Sequence, residues 1–267
     1  MFTIVAERIN CSRPTIKKAT EQRDAAFIRE QVCRQEAAGA SYIDVNAGAQ
    51  PDTELDDMVW LLEQVLAATT LPIALDSANP RVLQAGLVAL DGRAGMINSI
   101  SLDPMRLEKL LPLANQYHTT VIGLCLGPGR LPNTAEERYT LAGKLIAQTR
   151  DAGICDDRLY IDPLVCCVGA ESEQGLEFLQ AVRLIHQMYP AVHICAGISN
   201  VSYGLPHRSL LNRAFLTLAM WAGLDSAILD PLDNGVMEQL FAVRALLGLD
   251  EGCADYIAAV RERQIGA

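Results

Sequence analysis

The chain has 267 residues, of which half are apolar and only 5% are aromatic, and it carries a formal net charge of −10. A core of aliphatic side chains suits helices packed on a buried parallel sheet, and the acidic balance argues against a nucleic-acid partner, whose phosphates would be repelled. No apolar run reaches the ~20 residues that span a bilayer, and segment 1–8 lacks the features of a signal peptide, so we expect a cytoplasmic protein without membrane contact.

Short apolar runs alternate along the chain with longer segments of helical periodicity. The runs predicted as strands are Thr3–Ala6, Tyr42–Val45, Pro72–Leu75, Gly95–Ile97, Thr120–Leu126, Leu159–Ile161, His193–Ile198 and Ser226–Leu229. The segments predicted as helices are 23–38, 53–68, 80–90, 103–117, 134–152, 172–188, 208–222 and 235–247, with an appended helix near 253–263. Eight alternating units predict an α/β fold, and a closed (β/α)8 TIM barrel fits better than an open doubly wound sheet. Because no linker rich in Pro, Gly or Ser interrupts the pattern, we expect residues 1–267 to form a single domain.

Capping residues support these helix boundaries. Asn79 and Asp103 each stand directly before a proline, as an N-cap followed by proline at the first helical position does. Gly39, Gly153 and Gly223 each follow a predicted helix and precede a strand, which is typical of glycines that end helices.

The chain contains eight cysteines but no Cys-x-x-Cys pair. Most lie within apolar runs, where a free thiol behaves as a small hydrophobic side chain. The adjacent pair Cys166 and Cys167 is poorly placed to form a disulfide, because neighbours in sequence rarely bridge comfortably. We therefore expect reduced and mostly buried thiols, as in a reducing compartment.

Polar residues follow nearly every predicted strand. They include Glu7, Asn10, Asp44, Asn46, Asp76, Ser77, Asn98, Ser99, Asp162, Ser199, Asn200, Ser202 and Asp230. In a barrel these positions converge on the face that carries active sites. The alternative for any one of them is a cap for the next helix. That alternative explains Asp103 and Asp230 well, but it explains Asp76 and Asp162 poorly, because Asn79 already caps the helix after Asp76 and ten residues separate Asp162 from the next helix.

The residue types at these strand ends indicate the kind of ligand. Carboxylates with carboxamides make a poor phosphate site, and the chain has no phosphate-binding glycine motif. They suit a flat heterocycle with adjacent N–H donors, because a carboxylate can accept two parallel hydrogen bonds. A pterin has such an edge, formed by its 2-amino group and N3–H, with N8–H on another edge.

Seven short segments in order carry a resemblance to a known family over nearly the whole chain. They are Glu7-Arg8-Ile9-Asn10, Asp44-Val45-Asn46, Leu75-Asp76-Ser77, Met96-Ile97-Asn98-Ser99, Tyr160-Ile161-Asp162-Pro163, Gly197-Ile198-Ser199-Asn200-Val201-Ser202 and Leu211-Asn212-Arg213. With them the chain resembles the methyltetrahydrofolate–corrinoid protein methyltransferases. That pterin-binding barrel family is related to the folate module of cobalamin-dependent methionine synthase and to dihydropteroate synthase.

The resemblance implies roles for individual residues. Asp76, Asn98 and Asp162 would hold the pterin of tetrahydrofolate or 5-methyltetrahydrofolate, and Gly197 would let the ring lie close to the backbone. Asn200 would be catalytic, because its amide can donate to or accept from N5 as charge changes there. Further candidates for pterin contacts are Glu7, Asp44, Asn46, Ser199, Ser202 and Arg208. For Arg208 the alternative is a solvated residue in the first turn of its helix.

The sequence departs from the family pattern at 203–207, where Tyr-Gly-Leu-Pro-His replaces an amide-rich stretch. Because of this departure, the sequence does not decide whether that loop makes further polar contacts. It also does not decide how the corrinoid approaches.

Several expectations concern partners. None of the four histidines lies in a cobalamin-binding D-x-H-x-x-G motif, so the corrinoid should arrive on a separate protein. No Cys/His zinc pattern is present, so no metal site is expected. The direction of methyl transfer stays open, and many barrels pair as homodimers. Two alternatives also remain: a methyltransferase for a small methylamine or methyl ether, and a non-catalytic folate-binding partner of a corrinoid protein.

Overall fold

The computed structural model describes residues 2–262, in which eight strands alternate with helices. The strands are β1 (Thr3–Asn10), β2 (Tyr42–Asn46), β3 (Ile73–Asp76), β4 (Gly95–Ile100), β5 (Thr120–Leu124), β6 (Leu159–Asp162), β7 (His193–Ile194) and β8 (Ser226–Leu229). The helices are α1 (Pro14–Glu21), α2 (Ala25–Ala37), α3 (Glu54–Ala68), α4 (Pro80–Ala89), α5 (Pro104–Gln116), α6 (Ala135–Asp151), α7 (Gln174–Met188), α8 (Arg208–Ala222), α9 (Asn234–Leu246) and α10 (Ala254–Arg261). Short 3-10 helices cover Asp156–Arg158, Ile198–Ser202 and Glu251–Cys253.

The strands pair in parallel in the order β7-β6-β5-β4-β3-β2-β1-β8. The two ends of this sheet meet where Gly197 bridges Ile228, and the Ile228 amide donates to the Ala196 carbonyl at 2.9 Å. The sheet therefore closes on itself. The predicted (β/α)8 barrel is confirmed, and the open doubly wound alternative is wrong.

The two faces of the strands have different surroundings. One apolar cluster fills the barrel interior and consists of Val5, Ala74, Met96, Ile122, Tyr160 and Cys195. A second, larger cluster lies between the strands and the surrounding helices. Because side chains alternate along a strand, residues two positions beyond the interior layer also face inward, at the C-terminal mouth of the barrel. Glu7, Asp44, Asp76, Asn98 and Asp162 occupy such positions, so the alternation itself brings these strand ends together.

Several boundaries differ from the sequence prediction. Strands β1 and β4 extend to Asn10 and Ile100, beyond their predicted ends at Ala6 and Ile97. Helix α1 was not predicted, because only Ile16, Ala19 and Thr20 of its eight residues are buried and so the apolar stripe is narrow. Strand β7 ends at Ile194 rather than at Ile198, because the chain turns at Gly197 into a 3-10 helix. Strand β5 ends two residues early, at Leu124. The appended helix is confirmed as α10, but the predicted end at 263 lies outside the described residues, as do positions 1 and 264–267.

The predicted caps are confirmed. The Asn79 side chain accepts a hydrogen bond from the Arg81 amide at 3.0 Å, and Asp103 accepts one from Met105 at 2.9 Å. The three glycines after helices all have positive φ, and Gly223, at φ 120°, has the tightest surroundings. A Cβ at Gly223 would lie 2.6 Å from His186 Cγ, so both its conformation and the available space require glycine.

All eight cysteines are free thiols, but the expectation that most are buried is wrong. Cys11, Cys125 and Cys195 are buried; Cys33, Cys155 and Cys253 are exposed; Cys166 and Cys167 are intermediate. The exposed ones lie on the outer side of α2 and in the turns that carry 3-10 helices, which local apolar composition does not distinguish from the core. In the part of the chain that the structure describes, no helix is both long and apolar enough to cross a bilayer.

Candidate active site

Asp76 and Asn98 lie side by side at the mouth, because β3 and β4 pair these two residues directly. Each is held by a neighbour on β2. Asn46 Nδ2 donates to Asp76 Oδ2 at 2.8 Å, and Asn98 Nδ2 donates to Asp44 Oδ1 at 3.2 Å. Within the described residues, Asp76 Oδ1 and Asn98 Oδ1 have no hydrogen-bond partner. This corner of the barrel therefore presents two oriented acceptor oxygens to the mouth.

Asp162 provides a third acceptor from β6. Its Oδ1 accepts a hydrogen bond from the Leu164 amide at 2.8 Å, which leaves Oδ2 without a partner among residues 2–262. Asp162 does not cap α7, as predicted from its distance to that helix, but it does make this local turn bond, which was not foreseen. Burial raises the pKa of Asp162 to about 7, although the Leu164 amide and the positive charge of Arg138 oppose the rise.

Other carboxyl groups at the mouth are also shifted. Burial raises the pKa of Asp44 well above its ordinary value, and the nearby Asp76 carboxylate raises it further. Burial likewise raises the pKa of Asp76, against the hydrogen bond from Asn46 and the charge of Arg106. Only 1% of Asp44 is exposed. Asp44 and Asn46 thus lie behind the mouth as supports of Asn98 and Asp76, respectively.

Arg106, in the first turn of α5, braces the loop after β3 and the end of β4. Its Nε donates to the Ser99 carbonyl at 2.8 Å, and its Nη2 donates to the Ser77 carbonyl at 2.8 Å. Nη1 bonds the Ala78 carbonyl. This clamp fixes the backbone on either side of the two acceptors, and the sequence analysis did not identify it.

Asn200 lies on the 3-10 helix after β7 and is exposed at the mouth. Its side-chain amide has no hydrogen-bond partner within the described chain, so it is free to rotate. Gly197 lies beneath it, and a Cβ there would stand 3.0 Å from Asn200 Nδ2. Glycine at 197 therefore leaves room for the Asn200 amide, besides any room that it leaves for a ligand.

The rest of the loop after β7 is held by internal hydrogen bonds. Ser202 is fully buried, and its Oγ donates to Asn212 Oδ1 at 2.7 Å and accepts from Arg208 Nε at 3.1 Å. Arg208 also donates to the Ser199 carbonyl at 2.7 Å, and its guanidinium lies 5.9 Å from the centre of the Tyr203 ring. Ser202 and Arg208 thus shape the loop that carries Asn200, and Arg208 is not merely a solvated first-turn residue.

Glu7, on β1, lines a cavity of about 450 Å3 between β1, β8 and the loop after β7. Arg13 Nη2 lies 3.4 Å from Glu7 Oε1, and Arg8 and Arg13 pair with Asp230 Oδ2 at 2.8 and 3.2 Å. Burial raises the pKa of Glu7, against the charge of Arg13. Asp230 makes the predicted turn bond to the Leu232 amide at 3.1 Å, but its two arginine partners were not predicted.

The three acceptors at the mouth suit a flat ligand that presents several N–H groups. Asp76, Asn98 and Asp162 each have one atom fixed by the protein and one acceptor oxygen left over, which matches a ring system with three outward N–H groups. Asn200 adds an amide that can donate or accept. Among residues 2–262 no cluster of three His, Cys, Asp or Glu side chains could hold a metal ion.

Arg138 is a further functional candidate that the sequence analysis missed. It lies on α6, whose buried residues are Ala135, Arg138, Ala142, Leu145, Ile146 and Thr149. A charged residue at a core position of an amphipathic helix was the available signal, because such groups are buried only where they find partners.

Comparisons with known proteins identify related enzymes. The profile of the family described as "Pterin binding enzyme" matches residues 6–230. The methylcorrinoid:tetrahydrofolate methyltransferase of Eubacterium limosum is 37% identical over 265 residues, which cover 98% of this chain and 97% of that protein. The methionine synthase of Mycobacterium tuberculosis is 32% identical over 71% of this chain but only 17% of its own length. Among solved structures, a dihydropteroate synthase of Xanthomonas albilineans with 4-aminobenzoic acid superposes with a TM-score of 0.70 at 18% identity, covering 93% of this chain and 92% of that one. At that identity the last match supports the fold alone.

Proposed function

Since this chain belongs to the family of pterin-binding enzymes, we propose that it transfers a methyl group from a methylcorrinoid protein to N5 of tetrahydrofolate. The observation that carries the proposal is the set of three singly fixed acceptors beside the unengaged amide of Asn200. The direction follows the name of the 37% identical relative, which puts the methylcorrinoid first and tetrahydrofolate second.

The pterin is bound through its N–H groups. Asp76, Asn98 and Asp162 accept hydrogen bonds from the 2-amino group, N3–H and N8–H, since each offers one oxygen toward the mouth. A charged acceptor makes a hydrogen bond about twice as strong as a neutral one, so Asp76 and Asp162 contribute most of the affinity. Ionised Asp162 is the competent form, because a protonated carboxyl would lose part of its acceptor capacity.

In the transfer step the N5 lone pair attacks the methyl carbon of the corrinoid substrate. The cobalt–carbon bond breaks, its electron pair stays on cobalt as cobalt(I), and N5 first carries a positive charge and then releases its proton to solvent. The Asn200 side-chain oxygen can accept from N5–H while that charge develops. One such hydrogen bond, made in the transition state, contributes roughly 2.7–4 kcal/mol.

The corrinoid arrives on a separate protein and approaches through the barrel mouth. Because the acceptors proposed for the pterin lie at the mouth, the partner covers the loops that follow the strands. Tyr203, three residues beyond Asn200 and 73% exposed, lies on one of these loops.

The test is methyl transfer in a mixture of this protein, tetrahydrofolate and a methylated corrinoid protein, with free methylcobalamin as a second donor. We expect Asn200→Ala to reduce the transfer rate by about 10²–10³ while it changes folate affinity by less than about threefold. Asp162→Ala should instead abolish stoichiometric folate binding. Asn234→Ala, an exposed asparagine in the first turn of α9, is the matched control.

Each alternative has its own outcome. Folate binding without any methyl transfer in the complete mixture would identify a non-catalytic folate-binding partner. Transfer from a methylamine or methyl ether that does not need folate would exclude tetrahydrofolate as the substrate. Equal rates for Asn200→Ala and the parent would remove Asn200 from the mechanism.

The chain is also proposed to form a homodimer through the outer face of α8. Leu210, Leu211, Leu218 and Trp221 lie within about a third of the helix circumference, and Trp221 is 65% exposed. Light scattering should give twice the chain mass for the parent and a monomer for Trp221→Glu. A monomeric parent protein would contradict the proposed homodimer.

We also propose that the protein is cytoplasmic and forms a single domain. The support for the location is the set of eight free thiols, three of them exposed, which persist in a reducing compartment. Fractionation of cells should find the protein with cytoplasmic markers, and limited proteolysis should leave one stable fragment of nearly full length.

A further inference from the structure

Arg138 is the largest side chain that is completely buried, with 0% of its surface exposed. Its guanidinium binds only neutral groups, among them the Thr134 carbonyl at 3.4 Å and Cys166 Sγ at 3.8 Å. Nε donates to the Pro163 carbonyl at 2.9 Å, and Nη2 donates to Gln174 Oε1 at 2.6 Å. A longer contact of 3.4 Å joins Nη2 to the Leu164 carbonyl. Within the described residues Arg138 makes no ion pair.

A buried charge without a counterion is costly, so a position such as this calls for an explanation. Two of the carbonyls that Arg138 binds belong to Pro163 and Leu164, which directly follow Asp162. Leu164 has a left-handed backbone conformation with φ 68°, which a branched residue rarely adopts, and its amide donates to Asp162 Oδ1. One short turn therefore connects the buried guanidinium to the Asp162 carboxyl.

We infer that Arg138 is a positioning residue for the pterin site, which holds the 162–164 turn in place and supplies the positive charge that lets Asp162 act as an anionic acceptor. The inference rests on the proposed function in so far as Asp162 binds the pterin. Both the position of the turn and the charge near Asp162 come from the Arg138 guanidinium, which binds the turn carbonyls and lies near the carboxyl.

Among the described groups around Asp162, Arg138 carries the positive charge. Directly after β5 and β7, the thiols of Cys125 and Cys195 lie near the carboxyl, and burial raises the pKa of both thiols, so they stay neutral. The Leu164 amide is the neutral donor, and α6 contributes Arg138. Without Arg138, only the hydrogen bond from the Leu164 amide would oppose the rise that burial causes in the pKa of Asp162.

The experiment measures the ionisation of Asp162 directly. In protein labelled with ¹³C at the aspartate carboxyls, the Asp162 signal is identified by its absence from Asp162→Asn and is followed from acid to alkaline pH. We expect Arg138→Met to move the midpoint upward by about one pH unit or more, and Arg138→Lys, which keeps the charge, to restore most of the parent value. Arg138→Gln, which keeps a donor for the Pro163 carbonyl, makes the same comparison if the methionine variant does not fold.

Arg158→Met is the matched control. Arg158 also binds backbone carbonyls, those of Thr119 and Ala114, but it does so at the opposite end of β6. This variant should leave the Asp162 midpoint unchanged, although it loses a comparable set of hydrogen bonds.

Folate binding supplies the second readout. Near neutral pH the charge-neutral variants should bind tetrahydrofolate roughly fivefold more weakly, and the difference should vanish about two units higher, where Asp162 is ionised in every protein. An unshifted midpoint in the neutral variants would overturn the inference even if folate still binds. A shifted midpoint in a protein whose parent binds no folate would support the electrostatic role and reject the proposed function.

Discussion

Asp162→Asn is expected to stabilise the folded protein at alkaline pH while it removes the contribution of Asp162 to the pH dependence of folate binding. The variant keeps a side-chain oxygen that can accept the hydrogen bond from the Leu164 amide, so the local turn is preserved. It removes only the charge that burial disfavours.

The magnitude follows from the raised pKa. The pKa of Asp162 rises from 3.8 to about 7, chiefly by burial, so between these values the folded protein binds a proton that the unfolded chain does not. The free energy of unfolding therefore falls as pH rises through this window. A rise of about three units corresponds to about 4 kcal/mol, which is an upper bound on the gain from Asn above neutral pH. Below about pH 4 the two proteins should be equally stable, because Asp162 is then neutral in both states.

The assay is urea unfolding of parent and variant at about pH 5 and about pH 8, with folate titrations at the same two pH values. Asp24→Asn is the matched control, because Asp24 also accepts a backbone hydrogen bond, from Phe27 at 3.1 Å, but is exposed. A stability difference between Asp162→Asn and parent that is the same at both pH values would refute the electrostatic argument.

Three further predictions concern the site and the surface. Asp44→Ala should weaken folate binding about tenfold, because the Asn98 amide loses its acceptor, whereas Asp44→Asn should retain affinity in the same calorimetric titration. Gly197→Ala should slow methyl transfer about tenfold with little change in melting temperature, because its Cβ would displace the Asn200 amide by a few tenths of an ångström; an unchanged single-turnover rate would contradict this. Trp221→Glu should halve the mass measured by light scattering without loss of folate binding, and a variant that stays dimeric would move the interface elsewhere.

The barrel was predictable because its main signals are local. Each strand is an apolar run, and each major helix repeats every 3.6 residues, so the order of elements can be read without knowledge of any contact. Proline after Asn79 and Asp103 marked two helix starts for the same reason. The inward direction of Asp76, Asn98 and Asp162 also follows from the alternation of side chains once the strands are placed.

The supporting interactions were not predictable, because they join residues that are far apart in sequence. Arg106 binds carbonyls in the loop after β3 and at the end of β4, and Arg138 reaches a turn 25 residues further along. Such pairings depend on tertiary packing, and no local pattern encodes which carbonyl an arginine will meet. Helix α1 was missed for a different reason, since it is only eight residues long and mostly polar.

The short strand β7 has a consequence for where the barrel opens locally. Strand β7 pairs with β6 at two positions, Tyr160 with His193 and Ile161 with Ile194. Its junction to β8 consists of the bridge between Gly197 and Ile228 and a few hydrogen bonds, such as that from Ser226 Oγ to the Ile194 carbonyl at 2.8 Å. Local opening should therefore cost less here than between β1 and β2, and the amides of this seam should exchange with solvent first. The loop that carries Asn200 continues directly from the seam. We therefore expect the barrel to open locally most readily next to the loop that carries Asn200. Strands β2 to β4, which hold the proposed pterin acceptors Asp76 and Asn98, should keep their arrangement.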